Sequence, residues 1–197
     1  MKKIFVLFSL LVLSSSCSLP YYQFNNKYNA VSIDLNSGSW LLNTVDIPYS
    51  ISNQLEQSFI NEFSNILEGR FSYYPNTSCV MIPRNISMNP TKSQLKEIKQ
   101  LSGFDFFINV KGGVLREDLG VISGSKLANA KENNSSYVEL EIYDLNKEII
   151  IYSQKVTGTT TRTKDNHDVH FSKTSNDLLK KCSEKLLTDL RSKMILK

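Results

Sequence analysis

The chain has 197 residues, of which 41% are hydrophobic, and carries 23 basic against 19 acidic side chains. That length fits a single domain of ordinary size. The small, scattered basic excess is not the clustered basic face of a nucleic-acid binder. Beyond the N-terminus no apolar run reaches the roughly 18 residues that a membrane span needs.

Lys2 and Lys3 precede an apolar run from Ile4 to Leu13, broken only by Ser9, and Ser14, Ser15 and Ser16 follow. This is the three-part layout of a secretory signal peptide, here residues 1–16. The run is too short to remain as an anchor by itself. Cys17 comes directly after it. The stretch SSSC resembles the lipobox of bacterial lipoproteins, with Ser14 where an apolar residue is usual and Leu13 one step further out. The resemblance implies that the Cys17 thiol receives a diacylglycerol and that cleavage leaves Cys17 as the first mature residue. Several acyl chains, palmitate among them, anchor stably where one chain is marginal. Ser18 is non-acidic, which resembles the default for sorting to the outer membrane, facing the periplasm. The alternative is ordinary cleavage after Ser16, with Cys17 a free or paired thiol. Loss of the signal takes Lys2 and Lys3 with it and leaves about 180 residues with 21 basic against 19 acidic groups.

Residues 17–30 are polar and tyrosine-rich without a helical or strand period, and read as a lipidated cysteine followed by a tether. Residues 31–197 read as one domain. GSWLLNTVDIP, closing at Pro48, reads as its first strand. In SISNQLEQSFINEFSNILEGRF, Leu55, Phe59, Phe63, Ile66 and Leu67 share one helical face. Ser50 or Ser52 can cap that helix and Gly69 can stop it. FSYYP is a short strand, and the proline-containing NTSCVMIPRNISMNP a loop. TKSQLKEIKQLSG reads as a helix with a capping box at Thr91 and Gln94, a stripe of Leu95, Ile98 and Leu101, and a stop at Gly103.

FDFFINVKGG alternates as a strand, and Phe107 on its second face predicts contact with another layer. Residues 113–136 are expected as a long polar loop. SYVELEIYDL and KEIIIYSQKVTG form a hairpin turning at Asp144–Lys147, with Glu139 and Glu141 expected to face solvent. Residues 158–171 are a second polar loop. The closing helix carries Leu178, Leu179, Cys182, Leu186, Leu187 and Leu190 on one stripe. The order β-α-β-α-β-β-β-α predicts an α+β fold of two to three layers, a mixed sheet of about five strands with helices packed on it.

The helix-to-strand run QLKEIKQLSGFDFFINVKG, the hairpin VELEIYDLNKEIIIYSQKVTG and the closing helix together resemble an α/β domain of envelope lipoproteins. It is that of the penicillin-binding-protein activators, and it is similar also to the curli-secretion lipoprotein and the N-terminal domain of TolB. Gly103 and Asp105 stand where those families place a small-residue turn and an aspartate leading a buried strand. The resemblance implies a binding or scaffolding role with no catalytic residues. The chain has no obvious pore-forming amphipathic hairpin of the curli type.

His167 and His170, with Asp165 and Asp168, form the best metal candidate, because zinc takes imidazole and carboxylate ligands. No other histidine completes the set, and a solvated loop is the simpler reading. GVISG at 120–124 has the wrong spacing for a nucleophile elbow, and KGG at 111–113 lacks the lysine and hydroxyl of a phosphate loop. Tyr73, Tyr74, Tyr143 and Phe107 could form an aromatic contact patch. Cys79 and Cys182 could pair in an oxidising compartment, but Cys182 reads better as a small buried residue on its helix. The expectation is a lipid-anchored, non-catalytic binding module without cofactor, whose partners are a membrane and an envelope protein. A metal-binding protein or enzyme using His167 and His170, and a subunit of a membrane-associated homo-oligomer, are the alternatives.

Overall fold

The computed structural model describes residues 19–28, 32–77, 82–83, 86–118, 131–163 and 173–195. The signal segment, Cys17 and Cys79 lie outside these residues, as do Asp165, His167, Asp168 and His170. Three long strands form the centre, β5 (Phe106–Glu117), β6 (Lys131–Asp144) and β7 (Ile149–Thr163), with β6 antiparallel to both β5 and β7. Around them stand β1 (Tyr21–Tyr28), β3 (Trp40–Leu42) and β4 (Phe71–Tyr73). The six-stranded mixed sheet has the order β1-β7-β6-β5-β3-β4, and a separate parallel pair joins β2 (Ile33–Asp34) to β8 (Met194–Ile195). Three helices pack on the sheet: α1 (Ser52–Leu67), α2 (Lys92–Ser102) and α3 (Ser175–Lys193). The α+β architecture is the one expected, with one strand more.

β3 is parallel to both β4 and β5 and lies between them. The crossover through α1 moves the chain one way across β3, and the crossover through α2 moves it back the other way. Right-handed crossovers in opposite directions put their helices on opposite faces of a sheet. Accordingly α1 and α3 share one core, where Leu55, Phe59, Phe63, Leu179, Cys182 and Leu186 meet Trp40, Val138, Leu140 and Val156. On the other face Leu95 and Ile98 of α2 meet Leu41, Phe107 and Tyr143. Burying one such large side chain contributes about 1.5–3 kcal/mol. At the head of β3, Trp40 stacks on Phe106 at 4.0 Å between centroids and donates from Nε1 to the Ser37 carbonyl at 3.1 Å. Gly38 makes room for that stack: its φ is +77°, and a Cβ there would lie 2.6 Å from the Phe106 ring.

The helix signals were legible in part. The capping box of α2 forms, with Thr91 Oγ1 accepting from Gln94 N at 3.3 Å and Gln94 Oε1 from Thr91 N at 2.8 Å, and Gly103 ends the helix at φ +74°. Leu101, expected in its stripe, is instead exposed, and only Leu95 and Ile98 of the stripe reach the core. α1 starts without a side-chain cap, and the Ser52 hydroxyl donates backwards to the Tyr49 carbonyl. Glu68, not Gly69, takes the positive φ at its end, 50°. The closing stripe of α3 is buried throughout, Cys182 with it.

Three expectations of irregular chain are corrected. Residues 21–28, read as tether, are β1, paired with β7 from Tyr21↔Thr159 to Tyr28↔Ser153. An edge strand gains its ladder on one side only. Here Tyr22 packs against the main core, and Phe24 two residues on is partly exposed, too short an apolar alternation to read as a strand. Of the two expected loops, residues 113–117 and 134–136 belong to the β5–β6 ladder, 131–133 pair with β7, and β7 continues to Thr163. Buried polar side chains here are partnered by the chain entering α3: Asn134 Nδ2 donates to the Lys173 carbonyl at 3.2 Å and Ser136 Oγ to the Ser175 carbonyl at 3.0 Å.

Candidate functional site

The second face of the sheet changes character row by row. Phe107 and Tyr143, paired across β5 and β6, lie under α2. The next row is Asn109, Glu141 and Ser153, and the one after it Lys111, Glu139 and Lys155. The segment 86–90, leading into α2, lies over the Asn109–Glu141 row.

Glu141 is fully buried and Glu139 nearly so, which corrects the expectation that both face solvent. The reason is that cover comes from 86–90 as well as from a helix, which β6 alone could not reveal. The Tyr143 hydroxyl donates a short hydrogen bond to Glu141 Oε2, the Asn89 backbone N–H donates to the same oxygen at 2.9 Å, and Ser153 Oγ lies 3.4 Å from Oε1. Buried carboxylates are stable only when paired in this way. Burial first, and the Glu141 carboxylate second, push the Tyr143 phenol well above its ordinary pKa. Glu139 is 4.0 Å from Lys155 Nζ, which also sits 4.1 Å over the Tyr137 ring.

Beside this brace is an open groove of about 470 Å³, lined by Asn43, Asp46, Ser87, Met88, Asn109 and Lys111. At its mouth Lys111 pairs with Asp46 at 3.2 Å, and the hydrogen bond that the ammonium donates to Asp46 raises the lysine's pKa. At its floor Asn109 Nδ2 donates to the carbonyls of Ile86 at 3.1 Å and Ser87 at 3.3 Å. That fixes Asn109 Oδ1 toward Asn43 Nδ2, at 3.2 Å. Asn43 Oδ1 is then buried with no hydrogen-bond donor among the described residues. A buried acceptor left open costs about 1–3 kcal/mol. Water, or an N–H or O–H group of a ligand, satisfies it. The groove can therefore hold a polar group.

The sequence did not single out Asn43 or Asn109. The available signal was Asn109 standing two residues from Phe107 on the same strand face. Of the expected aromatic patch, Tyr73, Tyr143 and Phe107 are buried in the cores and Tyr74 is partly covered, its hydroxyl donating to the Ile82 carbonyl at 2.7 Å. Asp105, the aspartate singled out by the family resemblance, is a clamp. Its carboxylate accepts from Lys99 Nζ at 2.8 Å, from Ser39 N and Oγ at 3.0 Å each, and from Asn146 Nδ2 at 3.1 Å. These donors, Lys99 foremost, hold its pKa well below the ordinary value. Among the described residues no group of three His, Cys, Asp or Glu side chains is placed to hold a metal. No helix among them is long and apolar enough to cross a membrane.

No family model matches this chain, and no curated protein matches it. Among solved structures it is similar to the PelC dodecamer from Paraburkholderia phytofirmans, at 10% identity over 91% of this chain and 100% of that one, with a TM-score of 0.42. It is similar to a hemagglutinin homolog from Helicobacter pylori at 15% identity over 84% and 89% of the two chains, TM-score 0.43. Lipoprotein GNA1162 from Neisseria meningitidis matches at 11% identity over 79% and 99%, TM-score 0.37. Likeness of this degree carries nothing about what this chain binds.

Proposed function

We propose that this protein is a lipid-anchored protein of a bacterial envelope that works by contact and not by catalysis. The observation that carries the reading is the N-terminal layout: two lysines, ten residues of apolar run, three serines and Cys17. The lipid on Cys17 holds the domain at the membrane, in the outer membrane facing the periplasm. The buried ionisable groups on the second face support the contact role. Glu141 and Tyr143 are committed to each other and to the segment 86–90, and Asp105 to four neighbouring donors. The groove floored by Asn43 and Asn109, with the Lys111–Asp46 pair at its mouth, is the surface offered to an envelope partner. Membrane fractionation of cells making the wild type and Cys17→Ser tests the anchor. The wild type sediments with membranes and the variant does not; equal sedimentation of both contradicts the reading.

A second reading is a homo-oligomer joined at β1. That strand ends the sheet, is eight residues long, and exposes Tyr21 and Phe24. Such an edge is a template for strand pairing. Light scattering on the chain beginning at Ser18 distinguishes a monomer from an assembly.

A further inference from the structure

The sheet protects one of its two edges and not the other. β4, at one edge, is three residues long, and Pro75 follows it in a short 3-10 turn. A very short edge strand with a proline beside it is poorly suited to further pairing. β1, at the other edge, is eight residues long, and its regular part, residues 21–26, reads YYQFNN, with no charge and no proline. Charges and prolines are what ordinarily keep an edge strand from pairing with another chain.

Phe24 is opposite Val156 and so lies on the face of α1 and α3, yet it is 44% exposed. It lines a cavity of about 430 Å³ together with Lys185, Thr188 and Asp189 of α3. On the other face Gln23 and Asn25 are exposed, and Gln23 Nε2 donates to Asn25 Oδ1 at 3.3 Å. A second copy pairing its own β1 antiparallel to this one is related to it by a two-fold axis normal to the sheet. Such an axis keeps every side chain on its own face, and directly opposed residues share a face. The axis must therefore pass between one residue and its own copy. Centred on Gln23, only residues 21–25 pair; centred on Asn25, the bulge between Asn26 and Tyr28 falls inside the ladder of both copies. Centred on Phe24, residues 21–27 pair and the bulge stays at the ends. That register sets the two Phe24 rings against each other and Gln23 opposite the partner's Asn25.

We propose that β1 joins two copies of this chain edge to edge, antiparallel about a two-fold axis at Phe24, so that their sheets run on as one. This rests on the homo-oligomer reading and does not depend on the lipid. The seam is closed by main-chain hydrogen bonds, with an aromatic pair on one face and opposed Gln and Asn amides on the other. The groove beside Asn43 and Lys111 is on the β3–β5 side of each sheet, away from the seam. A two-fold axis normal to the sheet leaves both grooves on the same face, so the pair presents its contact surface twice.

Disulfide cross-linking reads the seam residue by residue. Directly opposed Cα atoms of an antiparallel pair are about 4.5–5.5 Å apart, within the roughly 4.4–6.8 Å that a disulfide spans, whereas diagonal neighbours are about 7–8 Å apart and fall outside it. The full chain carrying Cys79→Ser is oxidised in isolated cell fractions and run on a non-reducing gel. Phe24→Cys should link to its own copy about tenfold more than Gln23→Cys or Asn25→Cys does alone. Gln23→Cys and Asn25→Cys should link to each other when both are made in one cell. Phe24→Lys sets like charges directly opposite each other and should weaken the pair about tenfold or more in sedimentation, with the circular dichroism and Tm of the wild type. Self-linking strongest at Gln23→Cys or Asn25→Cys overturns the axis at Phe24. No linking at any of the three positions in a chain that sediments as an oligomer overturns the β1 seam and leaves the homo-oligomer reading standing. A wild type that sediments as a monomer overturns both.

Discussion

Removing one hydroxyl tests whether the brace on the second face is closed as described. In Tyr143→Phe the ring stays against Phe107, 6.3 Å away between centroids, so packing is retained. What is lost is the donor to Glu141 and the acceptor for Asn89 N at 3.1 Å. A hydrogen bond to a charged group contributes about 1.5–3 kcal/mol. Glu141 keeps Asn89 N and the weaker Ser153 contact, so the expected loss is about 2 kcal/mol, in the middle of that range. Unfolding in urea, followed by the fluorescence of the single, fully buried Trp40, measures it. For a chain of this size the Tm should fall by about 2–4 °C per kcal/mol. Glu141→Gln in the same background completes a double-mutant cycle, with a coupling of about 1 kcal/mol or more. A loss below about 0.5 kcal/mol, in the range of ordinary surface changes, with no coupling, refutes the argument.

Gly158→Val should cost about 1–3 kcal/mol, because a Cβ at Gly158 meets Tyr22 at 2.8 Å and Cys182 Sγ at 3.0 Å. Adding Tyr22→Ala should recover part of it, as measured by urea midpoint. Asp105→Asn should cost about 1–2 kcal/mol, discounted because the carboxylate is one-third exposed. Its lowered pKa stabilises the fold above the ordinary aspartate value, and that contribution is lost as pH falls below it; acid titration of the wild type against the variant shows the difference. At the other extreme, burial raises the phenols of Tyr73, Tyr143 and Tyr152, and pushes the Cys182 thiol up to about 12. Their contribution is complete below the ordinary thiol value of 9.0 and tyrosine value of 10.0 and is lost above them, so the Tm should decline steeply past pH 10.

How far the sequence could be read depended on how local each cause was. The α3 stripe and the Thr91–Gln94 capping box follow from spacing within one turn or two, and both are in the structure. The hairpin turn after Asp144 was legible because Asp144 Oδ1 accepts from Asn146 N and Lys147 N, a purely local arrangement. β1 was not legible, since its cause is the open edge of β7, more than 120 residues away in the chain. Glu141 looked like a solvent-facing strand residue because the segment that buries it begins some 50 residues earlier. The same holds for Asn43 and Asn109, which meet 66 residues apart.

The central claim is the anchor, and the mass of the mature N-terminus tests it most directly. The account predicts that Cys17 is the first residue and carries a diacylglycerol thioether. An intact Met1, or an unmodified N-terminus at Cys17, contradicts it.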